Sequence, residues 1–407
     1  MAGPLEGLRI LDMTSVLMGP FATQVLADMG ADVIKVESPE GDTVRHLGPM
    51  RSPGMSAGFL HVNRNKRSVV LDLKDAAGRA SLLELARTVD VFVSNVRPAA
   101  LARLGLAYED FQRVNPSIVH VALVGYGQNG PYAARAAYDD MIQAVCAVPS
   151  LIAQVGDGVP RYVPLAIVDR VVGQAAATAT LAAVVHRMKT GEGQAVEVPM
   201  FETMVPYVMS EHMAGHTYDP PSGEIGYKRL LAPSRQAYAT ADGYVCTVLY
   251  TTKHWRSFFE LVGVGERYAH DPRVATIAAR THHIGELYAE VGGYLLTQTT
   301  AYWLDALTAL DIPVMPLHTL ESLMHDPHLD AVGFFKKTHH PTEGPLVEMA
   351  GLGNWSRTPP SVARPAPLLG EHTAEVLEEA ARLAVLAASR RGSEAPPGCL
   401  CTQSMSA

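Results

Sequence analysis

The chain has 407 residues, of which 48% are hydrophobic and 18% charged, with a net charge of −8 at pH 7 when histidine is neutral. That length suits one large or two medium globular units, and the composition excludes a chain disordered throughout. The negative sum argues against a nucleic-acid binder, whose footprint is basic, but leaves room for a small anion held by local cations.

The four cysteines, Cys146, Cys246, Cys399 and Cys401, lie too far apart or too near one end for a disulfide framework, which fits a reducing, cytoplasmic setting. No basic stretch followed by an apolar run opens the chain, and the longest uncharged apolar run, Val171 to Val185, is too short to span a bilayer. Neither a signal peptide nor a membrane anchor is expected.

Leu8 to Met13 reads as a buried strand, Gly19-Pro20 opens a helix running through Met29, and Gly30 ends it before a second strand, Val33 to Glu37. This is a β-α-β unit. A helix over Ala76 to Thr88 and strands over Val89 to Ser94 and Ile118 to Gly125 extend it into an open, mostly parallel sheet flanked by helices, a Rossmann-like α/β fold. The dinucleotide fingerprint is missing, because the first turn, Thr14 to Pro20, holds one glycine where three would be spaced, and no Walker A pattern occurs. Lys66, Arg67, Lys74, Arg97 and Arg103 follow as scattered cations; such residues usually mark a solvated face, but their place beside predicted strand ends also suits phosphates. Gly125 to Pro131 is a glycine-rich loop, weak evidence alone, followed by Ala137-Tyr138-Asp139.

Tyr162 to Val168 reads as a strand that reaches a single carboxylate, Asp169, and Val171 to Val185 as a helix so rich in Ala, Thr and Val that it should be largely buried. Gly191 stops it, with His186, Arg187 and Lys189 in its last turn, and Gln194 to Val198 is another strand. Asp169 thus stands at a strand-to-helix junction, as a helix N-cap, as a carboxylate held ionised by the helix dipole and ready for covalent catalysis, or as both.

Residues 213–228 read as a linker, rich in Gly, Pro, Tyr and His. A hairpin over Tyr238 to Tyr250, turning at Ala241-Asp242-Gly243, and helices over His254 to Val262 and Ala301 to Leu310 make a smaller α+β unit. The histidine pairs His282-His283, His325 with His328, and His339-His340 lack metal-ligand spacing and read as surface residues, so no metal site is proposed. The expected organisation is a large unit over 1–212, the linker 213–228, a small α+β unit over 229–335, a return segment and helix over 336–388 that pack on the large unit, and a disordered tail over 389–407.

Several blocks in order carry a resemblance: Leu5 to Asp12, Ala27 to Glu37, Asn65-Lys66-Arg67-Ser68 with Leu71 to Lys74, Asn95 to Pro98, Arg103-Leu104-Gly105, Gly125 to Pro131, Thr190 to Gln194, and Pro367 to Thr373. Together the chain resembles the family III CoA-transferases, the CaiB/BaiF family. The resemblance implies a CoA-binding Rossmann-like large unit and an interlocked homodimer that moves CoA from an acyl-CoA, such as succinyl-CoA, to a small carboxylic acid. It implies that Asp169 is the nucleophile, passing through an aspartyl anhydride and an aspartyl-CoA thioester, with CoA as substrate and no other cofactor. The CoA contacts implied at matching positions are Val16, Leu17, Leu71, Lys74, Asn95, Val96, Arg97, Arg103 and Tyr138.

The chain departs from some relatives in lacking a run of consecutive glycines between Met213 and Tyr250, so shielding of the intermediate is expected either from another segment, with Pro220 to Gly226 as the candidate, or by a different pattern. The α-methylacyl-CoA racemases of the same fold carry histidine where this chain has Tyr138; a phenol, titrating near ~10 in water, is a poorer neutral-pH proton carrier than imidazole, which favours transferase over racemase. A non-catalytic CoA-binding protein, with Asp169 only a helix cap, is the alternative from another class.

Overall fold

The computed structural model describes residues 3–351 and 353–393. Contacts divide it into two units: the first holds the segments through Asp139, from Ala166 to Thr203 and from Lys336 onward, the second Asp140–Leu165 and Met204–Phe335.

The first unit is built on six parallel strands, β1 (Arg9–Met13), β2 (Asp32–Glu37), β3 (Lys66–Val70), β4 (Val91–Ser94), β5 (Val119–Val124) and β6 (Ala195–Pro199), in the order β3-β2-β1-β4-β5-β6. Strands β1, β2 and β4 are buried along nearly their whole length, as a sheet covered on both faces requires. The strand order reverses between β1 and β4, which opens a crevice beyond their C-terminal ends, where ligands bind in open α/β sheets. Helix α1 (Met18–Asp28) crosses from β1 to β2 with every residue but Phe21 buried, and α2 (Ala76–Ala86) covers part of the sheet.

Two readings around Asp169 need correction. Tyr162 to Val168 is not a strand: Pro164 interrupts the run and cannot donate to a sheet ladder, and the chain is irregular until helix α3 (Ile167–Thr190) begins. At 24 residues α3 outruns its apolar stretch at both ends and by length and composition alone could cross a membrane, yet it packs along α1 as a core helix does. Gly173 makes that approach possible, since a Cβ there would lie 2.7 Å from the Met18 carbonyl oxygen and 2.9 Å from the Phe21 ring. Only one face of α3 is buried, through Val172, Ala176, Thr180 and Ala183; Gln174, Thr178, Ala182 and Val185 are exposed.

The expectation that Lys66 and Arg67 belong to a solvated face or a phosphate pocket also fails. Lys66 is fully buried, its Nζ 3.0 Å from Asp12 Oδ2 and donating to the Pro20 carbonyl and Asn63 Oδ1. Arg67 donates to Asp32 on β2 and to Glu375 and Glu379 on helix α4 (Thr373–Ser393), so it ties that helix to the sheet. Residues 389–393, read as tail, continue this helix; the rest of the tail, 394–407, with Cys399 and Cys401, lies outside the described residues.

In the second unit β7 (Tyr238–Ala239) and β8 (Tyr244–Thr247) form the antiparallel hairpin expected around Asp242, and β9 (Val314–Pro316) pairs with β8. Helices Thr252–Leu261 and Thr300–Ala309 match their sequence readings, and Trp255, Phe258, Leu287 and Trp303 centre a separate core. Among the histidines read as exposed, His340 is an exception: it is buried, with Nε2 2.8 Å from the Ala366 carbonyl oxygen.

Candidate active site

The crevice beyond β1 and β4 is shaped by a loop, Thr14 to Leu17, that sequence alone would not hold. Val16 has φ +70°, a left-handed conformation that costs a β-branched residue about 1–3 kcal/mol. Its N–H donates to Asp42 Oδ1 at 2.9 Å, and Asp42 is fixed by the buried Lys35 ammonium 2.8 Å away. Asn95, after β4, completes the clamp by accepting from Ser15 N–H at 3.0 Å and donating to the Ser15 carbonyl at 2.9 Å.

The glycine-rich loop forms another wall. Gly125 lets the chain fold back on Ala137, whose Cβ would lie 2.3 Å from an added Cβ. Gly127 N–H donates to Glu202 at 2.8 Å and Gln128 N–H to Glu197 at 3.0 Å. With those donors engaged by carboxylates, the loop shapes the site and does not offer these N–H groups to a phosphate.

Asp169 enters from the first turn of α3. The helix has Ala166 at its N-cap, without a capping side chain, and the Asp169 N–H donates instead to Asp139 Oδ2 at 2.9 Å. Asp139 therefore supplies the cap expected of Asp169. The Asp169 carboxylate itself makes no hydrogen bond or ion pair among the described residues. Its place at a helix start does not lower its pKa: burial and then the Asp139 charge push it up to about 6, partly offset by Arg170. A carboxylate of raised pKa is more basic and more nucleophilic, while still largely ionised at neutral pH.

Val16, Leu17, Asn95, Arg97, Tyr138 and Asp169 come together around a cavity of about 300 Å³. The other four sequence candidates do not line it. Leu71 is buried in the sheet core, Val96 packs partly against that core, and Lys74 and Arg103 are exposed beyond β3 and β4. They share the C-terminal edge of the sheet with the cavity. The cavity also takes in Gln128 and Arg135, which the sequence reading missed, and Arg135 lies over the Tyr132 ring at 4.1 Å. Among the described residues Arg97, Arg103 and Arg135 make no ion pair, in contrast to Arg45, Arg64 and Arg67 of the same unit. Unpaired guanidinium groups at a crevice are free to take an anionic ligand.

Asp139→Ala should cost about 1 kcal/mol of stability through the lost cap and should move the acid limb of the pH–rate profile below 6, toward an ordinary carboxylate. Denaturant unfolding and a kcat/KM profile between pH 4 and 8 measure both. An unmoved acid limb would rule out the role given to Asp139.

A family model described as CoA-transferase family III matches residues 5–373. The succinate–glutarate CoA-transferase of Agrobacterium fabrum is 34% identical, covering 92% of this chain and 95% of that protein, and the human succinyl-CoA:glutarate CoA-transferase is 32% identical, covering 93% and 86%. Among solved structures, Rv3272 of Mycobacterium tuberculosis superposes with a TM-score of 0.80 at 30% identity, covering 92% of this chain and 99% of that one. A CAIB/BAIF family protein from Brucella suis gives 0.77 at 30% identity, covering 93% and 100%. With a match that runs through the sheet, the crevice and the start of α4, the chain belongs to CoA-transferase family III.

Proposed function

We propose that the protein transfers CoA from an acyl-CoA, succinyl-CoA being the donor suggested by the relatives' names, to a small carboxylic acid, with Asp169 as covalent nucleophile. The observation that carries this reading is an uncommitted, half-buried carboxylate of raised pKa on the wall of a cavity that also holds Arg97 and Arg135.

The chemistry then runs as four acyl transfers. An Asp169 oxygen attacks the thioester carbonyl, the C–S bond breaks, and CoA thiolate leaves an anhydride. The thiolate attacks the aspartyl carbonyl of that anhydride and expels the donor acid, giving an aspartyl-CoA thioester. The acceptor carboxylate attacks this thioester and expels the thiolate, which finally attacks the new acyl carbonyl and releases Asp169. No proton or electron is gained or lost, so the proposed reaction calls on no metal or redox cofactor. Arg97, with Lys74 and Arg103 on the same sheet edge, would hold the CoA phosphates by charge-assisted hydrogen bonds. The exposed stripe of α3, Gln174 to Val185, supports a homodimer as the working form, which light scattering at the mass of one chain would refute.

The test is exchange of CoA between succinyl-CoA and a panel of free acids, run beside deuterium wash-in at the α-carbon. The reading expects exchange without wash-in, and Arg97→Gln raising KM for the acyl-CoA about tenfold with kcat kept. Wash-in without exchange would establish a racemase instead.

A further inference from the structure

The second unit has a cavity of about 460 Å³ between the hairpin, strand β9 and the helix Ile284–Leu295. Its wall carries two guanidinium groups, Arg229 and Arg235, and neither makes an ion pair among the described residues. The Arg229 Nε donates to Tyr288 Oη at 2.9 Å, and its guanidinium lies 5.7 Å from the centre of the Tyr250 ring. It is thus aimed, and half-buried, without a counter-charge. Arg235 is exposed, and its side chain has no hydrogen bond.

Both arginines line the same cavity as the buried Tyr238. Two positive groups left uncompensated beside one cavity repel each other, and an anion between them relieves that repulsion. The chain's net charge is −8, so carboxylates for pairing are abundant; in this unit Arg273 is bound to Asp271, Glu286 and Glu290. Arg229 and Arg235 remain unpaired.

The rest of the wall narrows the class of anion. Val248, Pro313, Val314 and Met315 also line it and give it apolar surface. A short aliphatic chain fits such a surface, whereas a diphosphate would lose its hydration there without return. We propose that this cavity binds a small aliphatic carboxylic acid, its carboxylate held by Arg229 and Arg235 and its chain against Val248, Val314 and Met315.

Calorimetric titration of the full chain with glutarate, and separately with 3′,5′-ADP as a probe for CoA phosphates, tests this. Arg235→Gln removes a side chain that holds no other group in place, so the fold should survive it. Binding of glutarate should weaken at least tenfold, since a hydrogen bond to a charged group contributes about 1.5–3 kcal/mol, while 3′,5′-ADP binding stays unchanged. Arg235→Lys should retain part of the affinity. The inference fails if glutarate binds Arg235→Gln and the parent equally. It fails also if 3′,5′-ADP loses affinity in its place, or if Arg135→Gln alone abolishes glutarate binding. None of these outcomes depends on Asp169, so the covalent reading stands or falls separately.

Discussion

Asp169→Asn should lower CoA transfer by at least ~10³-fold and, at pH 7.5, make the protein more stable. The first effect follows from removing the attacking oxygen. The second follows from linkage. An acid whose folded pKa, about 6, lies above its unfolded value, 3.8, binds its proton more tightly in the folded state. Stability is therefore lost as pH rises from 3.8 through 6, and the whole loss is present at pH 7.5. A shift of that size corresponds to a ceiling near ~3 kcal/mol, which partial solvent exposure reduces to about 1 kcal/mol recovered by the amide. Denaturant unfolding of both forms at pH 4 and pH 7.5 shows the sign directly: the variant should gain at 7.5 and gain little or nothing at 4. A variant destabilised at pH 7.5 would mean that the carboxylate is a structural cap after all.

The largest stability effect should come from the sheet interior. Asp12 and Lys66 form a fully buried pair, and Asp12 also accepts from Thr14 and Thr23 hydroxyls at 2.5 and 2.6 Å. Burial pushes the Lys66 ammonium down to about 8, with Asp12 opposing that shift, so both groups are charged at neutral pH. Asp12→Ala would leave an ammonium without its carboxylate in the core and should cost about 3–5 kcal/mol. The double variant Asp12→Leu with Lys66→Met removes both charges and should recover most of that loss. Urea unfolding of the two variants checks it, and a double variant no more stable than Asp12→Ala would show that the surrounding hydroxyl network, not the unpaired charge, sets the cost.

These two sites show what the sequence made legible. Strand periodicity and the β-α-β spacing located β1, β2, β4, β5 and β6, and with them the sheet edge where the site stands. The place of Asp169 was legible from its isolation in an uncharged stretch. Its state was not, because that state is set by burial in the fold and then by the charge of Asp139, thirty residues earlier, which folds back to cap α3. Lys66 and Arg67 misled for a related reason: a cation read alone belongs in water, and only the sheet brings Asp12, Asp32 and the helix carboxylates against them. Arg135 carried no signal beyond a cation after a glycine-rich loop, and its value lies in the cavity that the loop builds.

The strain at Val16 belongs to the same account. Buried charges at Lys35 and Asp42 and the amide of Asn95 hold that loop in a conformation its sequence would avoid, so a stability reserve in the sheet maintains the shape of the crevice.

The central claim is a covalent intermediate on Asp169. Its most direct test is to incubate the protein with succinyl-CoA, add hydroxylamine, digest, and map modified peptides by mass spectrometry. The account predicts a hydroxamate on Asp169 that forms only with an active donor and is absent from Asp169→Asn. Turnover with Asp169 unmodified under every active donor would contradict it.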